Sequence, residues 1–167
     1  PETTEDDYQQ VIYRKTARLF EAGALIAAVL SGKGGKIESA MVEYGRHLGT
    51  AFQLVDDLLD YEGSSTSLGK NVGDDLREGK ATLPLIAAMQ RGSAEDRAIV
   101  KHAIETGDSE QLGEIITILR RTGAIDVANQ AASAEATRAI AAAQLLPPGP
   151  HADCLTELAT QLLKRQA

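Results

Sequence analysis

Tryptophan is absent from these 167 residues, cysteine occurs once, and aromatic side chains make up only 4%. A lone Cys154 allows no internal disulfide and fits a reducing compartment, and it is expected to be a small packed residue with no nucleophilic role. The three histidines, His47, His102 and His151, are scattered without metal-ligand spacing. No apolar run approaches the ~20 residues of a membrane span, so no transmembrane segment is expected. Basic residues are outnumbered, 17 against 24 acidic ones, giving a formal net charge of -7. That balance speaks against nucleic acid as a partner, because phosphate backbones require a basic face. A soluble, cytoplasmic chain is the expectation. The sequence begins at Pro1 with neither a methionine nor a signal-like apolar core, which suggests a piece of a longer protein.

What is present is helical periodicity. A 43% hydrophobic content is enough for a sizeable core, and no segment alternates with period two, so residues 1–167 are expected to form a single all-α region. The pattern predicts a first helix running to Leu30, opened by Thr3-Thr4 with acids in the first turn, and a break at Ser31-Gly32-Lys33-Gly34-Gly35. Lys33-Gly34-Gly35-Lys36 lacks Walker spacing and a preceding strand, so it reads as a helix connector. A second helix is expected over 37–61. Further helices are expected over 82–91, with proline tolerated in the first turn, then 94–105 behind Ser93, 109–122, 124–143 and 152–164. Between 62 and 80 lies a Gly-, Ser- and Asp-rich connection, too long for an ordinary turn and therefore a candidate functional loop.

The second helix carries Gln53, Asp56, Asp57 and Asp60 within roughly 100° of arc, with no lysine or arginine between them. Phe52, Leu54, Val55, Leu58 and Leu59 flank these acids, which makes an interior cavity a better explanation than a solvated surface patch. Hard oxygen donors without cysteine or histidine suit Mg²⁺, which keeps several waters and is commonly shared with a substrate phosphate. Cationic groups occur at Lys15 in the first helix and at Lys70 and Lys80 in the long loop, where Asp74 and Asp75 also lie. Taken singly, each of these lysines would read as an ordinary surface charge. Together, acids, metal and lysines describe a diphosphate clamp: carboxylates hold the metal, the metal bridges phosphate, and lysines neutralise the remaining charge.

Three blocks carry a family resemblance. They are Ile12-Tyr13-Arg14-Lys15-Thr16-Ala17-Arg18-Leu19-Phe20-Glu21-Ala22, the stretch from Gly49-Thr50-Ala51-Phe52-Gln53 through Asp56-Asp57-Leu58-Leu59-Asp60-Tyr61, and that from Leu68-Gly69-Lys70 through Gly79-Lys80-Ala81-Thr82-Leu83-Pro84. In order and spacing they resemble the trans-prenyltransferases, and weaker likeness extends through the C-terminal helices. The resemblance implies the C-terminal part of the isoprenoid synthase fold, helices around a central cavity, and a usual homodimer. It implies Mg²⁺-dependent condensation of an allylic diphosphate with isopentenyl diphosphate to a long-chain polyprenyl diphosphate, of octaprenyl length for the ubiquinone side chain.

Carried over residue by residue, the resemblance makes Asp56 the direct metal ligand. Asp57 and Asp60 join it in the ligand or water shell, and Asp75 stands behind them. Lys15, Lys70 and Lys80 would hold the allylic diphosphate; Thr16 and Gln53 would lie beside the reacting carbon, and Phe52 would wall the pocket. The family also has an earlier aspartate-rich motif and an N-terminal basic set for isopentenyl diphosphate, neither of which occurs in these 167 residues. Asp6-Asp7 lacks the third acid. The 167 residues alone are therefore expected to be inactive. A non-catalytic diphosphate-binding or regulatory subunit is the alternative, and a terpene cyclase a weaker third reading.

Overall fold

The computed structural model describes residues 3–62, 73–107 and 110–164, and every regular element among them is helical. Helix α1 (Glu5–Ile12) opens behind Thr4, whose hydroxyl accepts the Asp7 N–H at 3.1 Å while the Asp7 carboxylate accepts the Thr4 N–H at 3.1 Å. This reciprocal cap satisfies two amide groups that would otherwise lack partners. A π-helical segment (Tyr13–Ala17) follows, then α2 (Arg18–Leu30). The single first helix expected from periodicity is thus interrupted by a wider turn, and that turn carries Lys15 and Thr16. Helix α3 (Gly35–Glu62) is long, and the glycine-rich segment before it is a helix connector, with Gly34 at φ 69°.

Within the expected 62–80 loop the chain forms one helical turn, α4 (Asp74–Arg77), which sequence periodicity is too short to reveal. Beyond it come α5 (Leu83–Arg91), α6 (Ala94–Thr106) and α7 (Leu112–Arg121). The start expected for α7 at residue 109 lies outside the described residues. Ser93 caps α6 through a full capping box with Asp96. Then follow α8 (Ala124–Ala143) and α9 (Pro150–Lys164), which begins at proline, where the missing N–H costs nothing. Cys154, expected to be packed, is exposed: it lies off the face of α9 that buries Ala159 and Leu162. Among the described residues no helix is long and apolar enough to cross a membrane.

Contacts group the chain into two compact units. The first comprises Pro1–Gln9 and Asp56–Gln130. Its core is built from Leu76 of α4, Leu83, Leu85 and Ile86 of α5, Val100 and Ile104 of α6, and Ile115 and Leu119 of α7, all buried. At the end of α6, Gly107 adopts φ 65°, and a Cβ there would stand 2.6 Å from the Arg77 carbonyl oxygen. Only glycine permits both the left-handed turn and this approach of the α4 backbone.

The second unit comprises Gln10–Val55 and Ala131–Ala167. In it, α2 crosses α3 at Gly45 and Gly49, where a Cβ would meet the Phe20 carbonyl oxygen and the Ala17 Cα, each at 2.6 Å. On its other flank α3 packs Tyr44 against Ala139, Ala142 and Ala143 of α8 and Ala159 of α9, and the Tyr44 hydroxyl donates to the Leu155 carbonyl at 2.8 Å. Small alanines let these helices approach closely, so the alanine-rich α8 is a packing element.

Candidate active site

The three carboxylates that the sequence places on one stripe meet three different environments. Asp57 is buried, and in the first unit Tyr8 donates its O–H to Asp57 Oδ2 at 2.6 Å. Burial, and next the Asp57 charge, push the Tyr8 phenol far above its usual pKa, so it stays a neutral donor. Asp56, one residue before, is partly exposed.

Asp60 organises the segment that begins at Gly73. Its carbonyl oxygen accepts the Gly73 N–H at 2.9 Å, and its two carboxylate oxygens accept the Asp74 and Asp75 N–H groups at 3.1 and 3.0 Å. Three consecutive amide donors thus converge on one residue, which acts as a cap supplied from outside the short helix α4. Burial raises the Asp60 pKa; the amide of Asp75 opposes that, while the charge of Asp75 adds to it.

Asp75 in turn accepts from Lys80 Nζ at 2.7 Å, and Glu78 lies 2.6 Å from the same ammonium. The hydrogen bond to Asp75, then that to Glu78, holds the Lys80 pKa above the usual lysine range. The Lys80 N–H also donates to the Asp75 carbonyl at 2.9 Å, so backbone and side chain close the same turn. Tyr61 is buried, with its hydroxyl 3.4 Å from that of Thr82. Asp60, Asp75 and Lys80 therefore form one connected polar chain.

In the second unit Thr16 donates its hydroxyl to Gln53 Oε1 at 2.7 Å, uniting two residues 37 positions apart. The close crossing at Gly49 brings the π-helical segment against α3 and allows this bond. A π turn rotates the side chains that follow it relative to an α-helix, and such turns are frequent at functional sites. Lys15, on the same turn, is exposed. Phe52 is exposed on one side and its ring lies 5.6 Å from that of Phe20, in a tilted arrangement. Lys70 lies outside the described residues.

Sequence reasoning missed Tyr8 and Tyr61. Tyr8 falls on an apolar position of α1 and reads as core; nothing local announces a partner 49 residues away.

As donors for a metal, the carboxylates are hard oxygens without sulfur or imidazole, which suits a divalent cation such as Mg²⁺ or Ca²⁺. Among the described residues, no three His, Cys, Asp or Glu side chains gather into a cage that could hold a metal alone. Asp57 and Asp60 accept from protein donors and Asp75 accepts from Lys80. This donor set fits a cation that draws most of its coordination from water and a phosphate ligand.

Comparison with known proteins gives this arrangement its context. The chain is 48% identical over 160 residues to an octaprenyl diphosphate synthase of Haemophilus influenzae, an alignment covering 95% of this chain and 49% of that protein. Its structure superposes on a decaprenyl diphosphate synthase from Rhodobacter capsulatus with a TM-score of 0.91 at 38% identity, covering 99% of this chain and 52% of the other. A polyprenyl synthase from Caulobacter crescentus, solved in complex with calcium and isoprenyl diphosphate, matches with a TM-score of 0.90 at 37% identity, over 98% of this chain and 51% of that one. The chain spans about half the length of the curated relatives it matches. Residues 1–121 match the polyprenyl synthetase family model, and the chain belongs to that all-α prenyltransferase family.

Proposed function

We propose that the protein carrying these residues condenses an allylic diphosphate with isopentenyl diphosphate, with Mg²⁺ as the metal and a long-chain polyprenyl diphosphate of octaprenyl length as product. The observation that best supports this reading is the polar chain running from Asp60 through the Asp74 and Asp75 amides to Lys80. It joins the acidic end of α3 to a lysine-bearing turn inside one compact unit. Carboxylates and an ammonium held together suit a ligand that is itself an anion paired with a cation.

In this reading Asp56 holds the metal, with Asp57, Asp60 and Asp75 in its ligand or water shell. When bound, Mg²⁺ supplies Lewis acidity at the diphosphate oxygens and stabilises the leaving group. Lys15, Lys70 and Lys80 neutralise the remaining phosphate charge. The allylic C–O bond breaks with its electron pair leaving on the diphosphate; the isopentenyl double bond then attacks the allylic cation, and the proton lost is taken up by the departing diphosphate. Thr16 and Gln53, locked together, present a fixed polar pair to the reacting end, and Phe52, beside Phe20, supplies apolar wall that keeps water from the cation. A homodimer, a cytoplasmic location and a role in ubiquinone side-chain synthesis belong to the same reading.

The test uses the whole protein with farnesyl diphosphate, radiolabelled isopentenyl diphosphate and Mg²⁺, with product length read by chromatography. Asp56→Ala should lower the rate ~10²–10³-fold, the loss typical of removing a group that stabilises developing charge. An unchanged rate would place Asp56 on an ordinary polar surface and overturn the reading.

A further inference from the structure

We propose that Tyr8 is a positioning residue for the acidic end of α3, its hydroxyl fixing the Asp57 carboxylate and, through it, the orientation in which Asp56 and Asp60 are presented to a metal–diphosphate ligand. The inference rests on the functional reading above. It begins from a cost: a carboxylate at 4% exposure, with a second acid adjacent and a third three residues on, must be stabilised by donors. The donor shown here is the Tyr8 phenol, at 2.6 Å and itself 4% exposed. A tyrosine suits this task because it supplies a strong O–H without adding positive charge that would compete with a cation for the neighbouring acids.

The geometry gives the bond a mechanical role. Asp56, Asp57 and Asp60 belong to one rigid helix, so fixing one carboxylate in the interior limits rotation of the other two about the helix axis. Asp60 is held from the other direction by the amides of residues 73–75. Tyr8 therefore secures the buried side of the α3 end, and α4 secures the side that bears Lys80.

The experiment measures binding of Mn²⁺ with inorganic pyrophosphate to the whole protein by electron paramagnetic resonance, alongside the melting temperature of each variant. Tyr8→Phe keeps the ring and removes the O–H, and should weaken Mn²⁺–pyrophosphate binding about tenfold or more, as loss of a partner that orients a ligand does. In an Asp57→Ala background the same change should cost less than about twofold, because the path through Asp57 is already cut. Asp57→Asn, which keeps an acceptor for the phenol, should bind at least about threefold more tightly than Asp57→Ala, a conservative rescue that stands even if Tyr8→Phe fails to fold. Equal affinity of Tyr8→Phe and the unmutated protein, or an undiminished loss in the Asp57→Ala background, would overturn the proposal while leaving the functional reading intact. Absence of Mn²⁺–pyrophosphate binding by the unmutated protein would remove both.

Discussion

Asp60 sits near the C-terminal end of α3, where the helix dipole disfavours an anion and burial adds to the penalty. It is tolerated because two amide donors meet its two carboxylate oxygens. Asp60→Asn would leave one carbonyl acceptor where two oxygens now accept, and would turn an NH₂ toward an amide. Loss of hydrogen bonds to a charged acceptor should lower stability by about 1.5–3 kcal/mol, read in a urea melt. Amide exchange at Asp74 and Asp75 should quicken in the same variant while that of α6 stays slow. Equal protection at Asp74 and Asp75 in both proteins would show that Asp60 does not hold α4. The acidic stripe itself was legible in the sequence, because charge is costly among Phe52, Leu54, Val55, Leu58 and Leu59. Its partners were not. An O–H from residue 8 and amides from residues 74 and 75 reach Asp57 and Asp60 only through the tertiary fold.

At the scale of elements, most of the helices follow from caps and periodicity, and the exceptions have physical causes. The π turn over Tyr13–Ala17 keeps the apolar pattern almost unbroken, so one continuous helix is the natural reading of the sequence. What fixes the crossing of α2 over α3 is the absence of side chains at Gly45 and Gly49. Gly49→Ala drives a methyl group to 2.6 Å from the Ala17 Cα, a backbone atom that cannot swing aside. The variant should lose about 1–3 kcal/mol through overpacking, even though alanine is the better helix former. Gly23 in α2 provides the control, since nothing lies within 4 Å of a Cβ there. Gly23→Ala should gain up to about 1 kcal/mol from helix propensity. Matching thermal shifts for the two variants would refute the crossing as the source of the difference.

A second joint, between α3 and α8, should show itself in pH dependence. His47 Nδ1 lies 2.6 Å from Glu135 and its Nε2 3.3 Å from Glu43, while Arg138 pairs with Glu135 from within α8. Burial would raise the Glu135 pKa, but the hydrogen bond and charge of His47, with Arg138, outweigh it and hold the carboxyl below its ordinary 4.5. A depressed folded-state pKa means that the unfolded chain binds its proton first as the pH falls. The stabilisation is thus full above 4.5 and disappears below it. Glu135→Gln should therefore cost about 1.5–3 kcal/mol at neutral pH, as expected for hydrogen bonds to a charged group. The deficit should shrink in denaturant melts run well below pH 4.5. A deficit that does not change with pH would assign the effect to packing.

For the molecule as a whole, these residues contain one aspartate-rich stripe, that of Asp56, Asp57 and Asp60. No second string of the Asp56-Asp57-Leu58-Leu59-Asp60 type occurs among the 167 residues. Ionising a diphosphate requires charge stabilisation around most of the leaving group, and mutational losses of ~10²–10³-fold per missing group compound when several are missing. In the second unit Leu19, Ile26, Val29 and Leu30 of α2 are exposed, Leu30 by 81%. A run of large apolar side chains along one helix is uncommon on a surface that meets only water. The 167 residues alone should therefore bind a hydrophobic dye and transfer no measurable prenyl group from farnesyl diphosphate to isopentenyl diphosphate with Mg²⁺, whereas the proposed function expects turnover from the whole protein. Turnover by the purified 167-residue chain at a rate within tenfold of the whole protein would mean that one acidic jaw is sufficient for the chemistry.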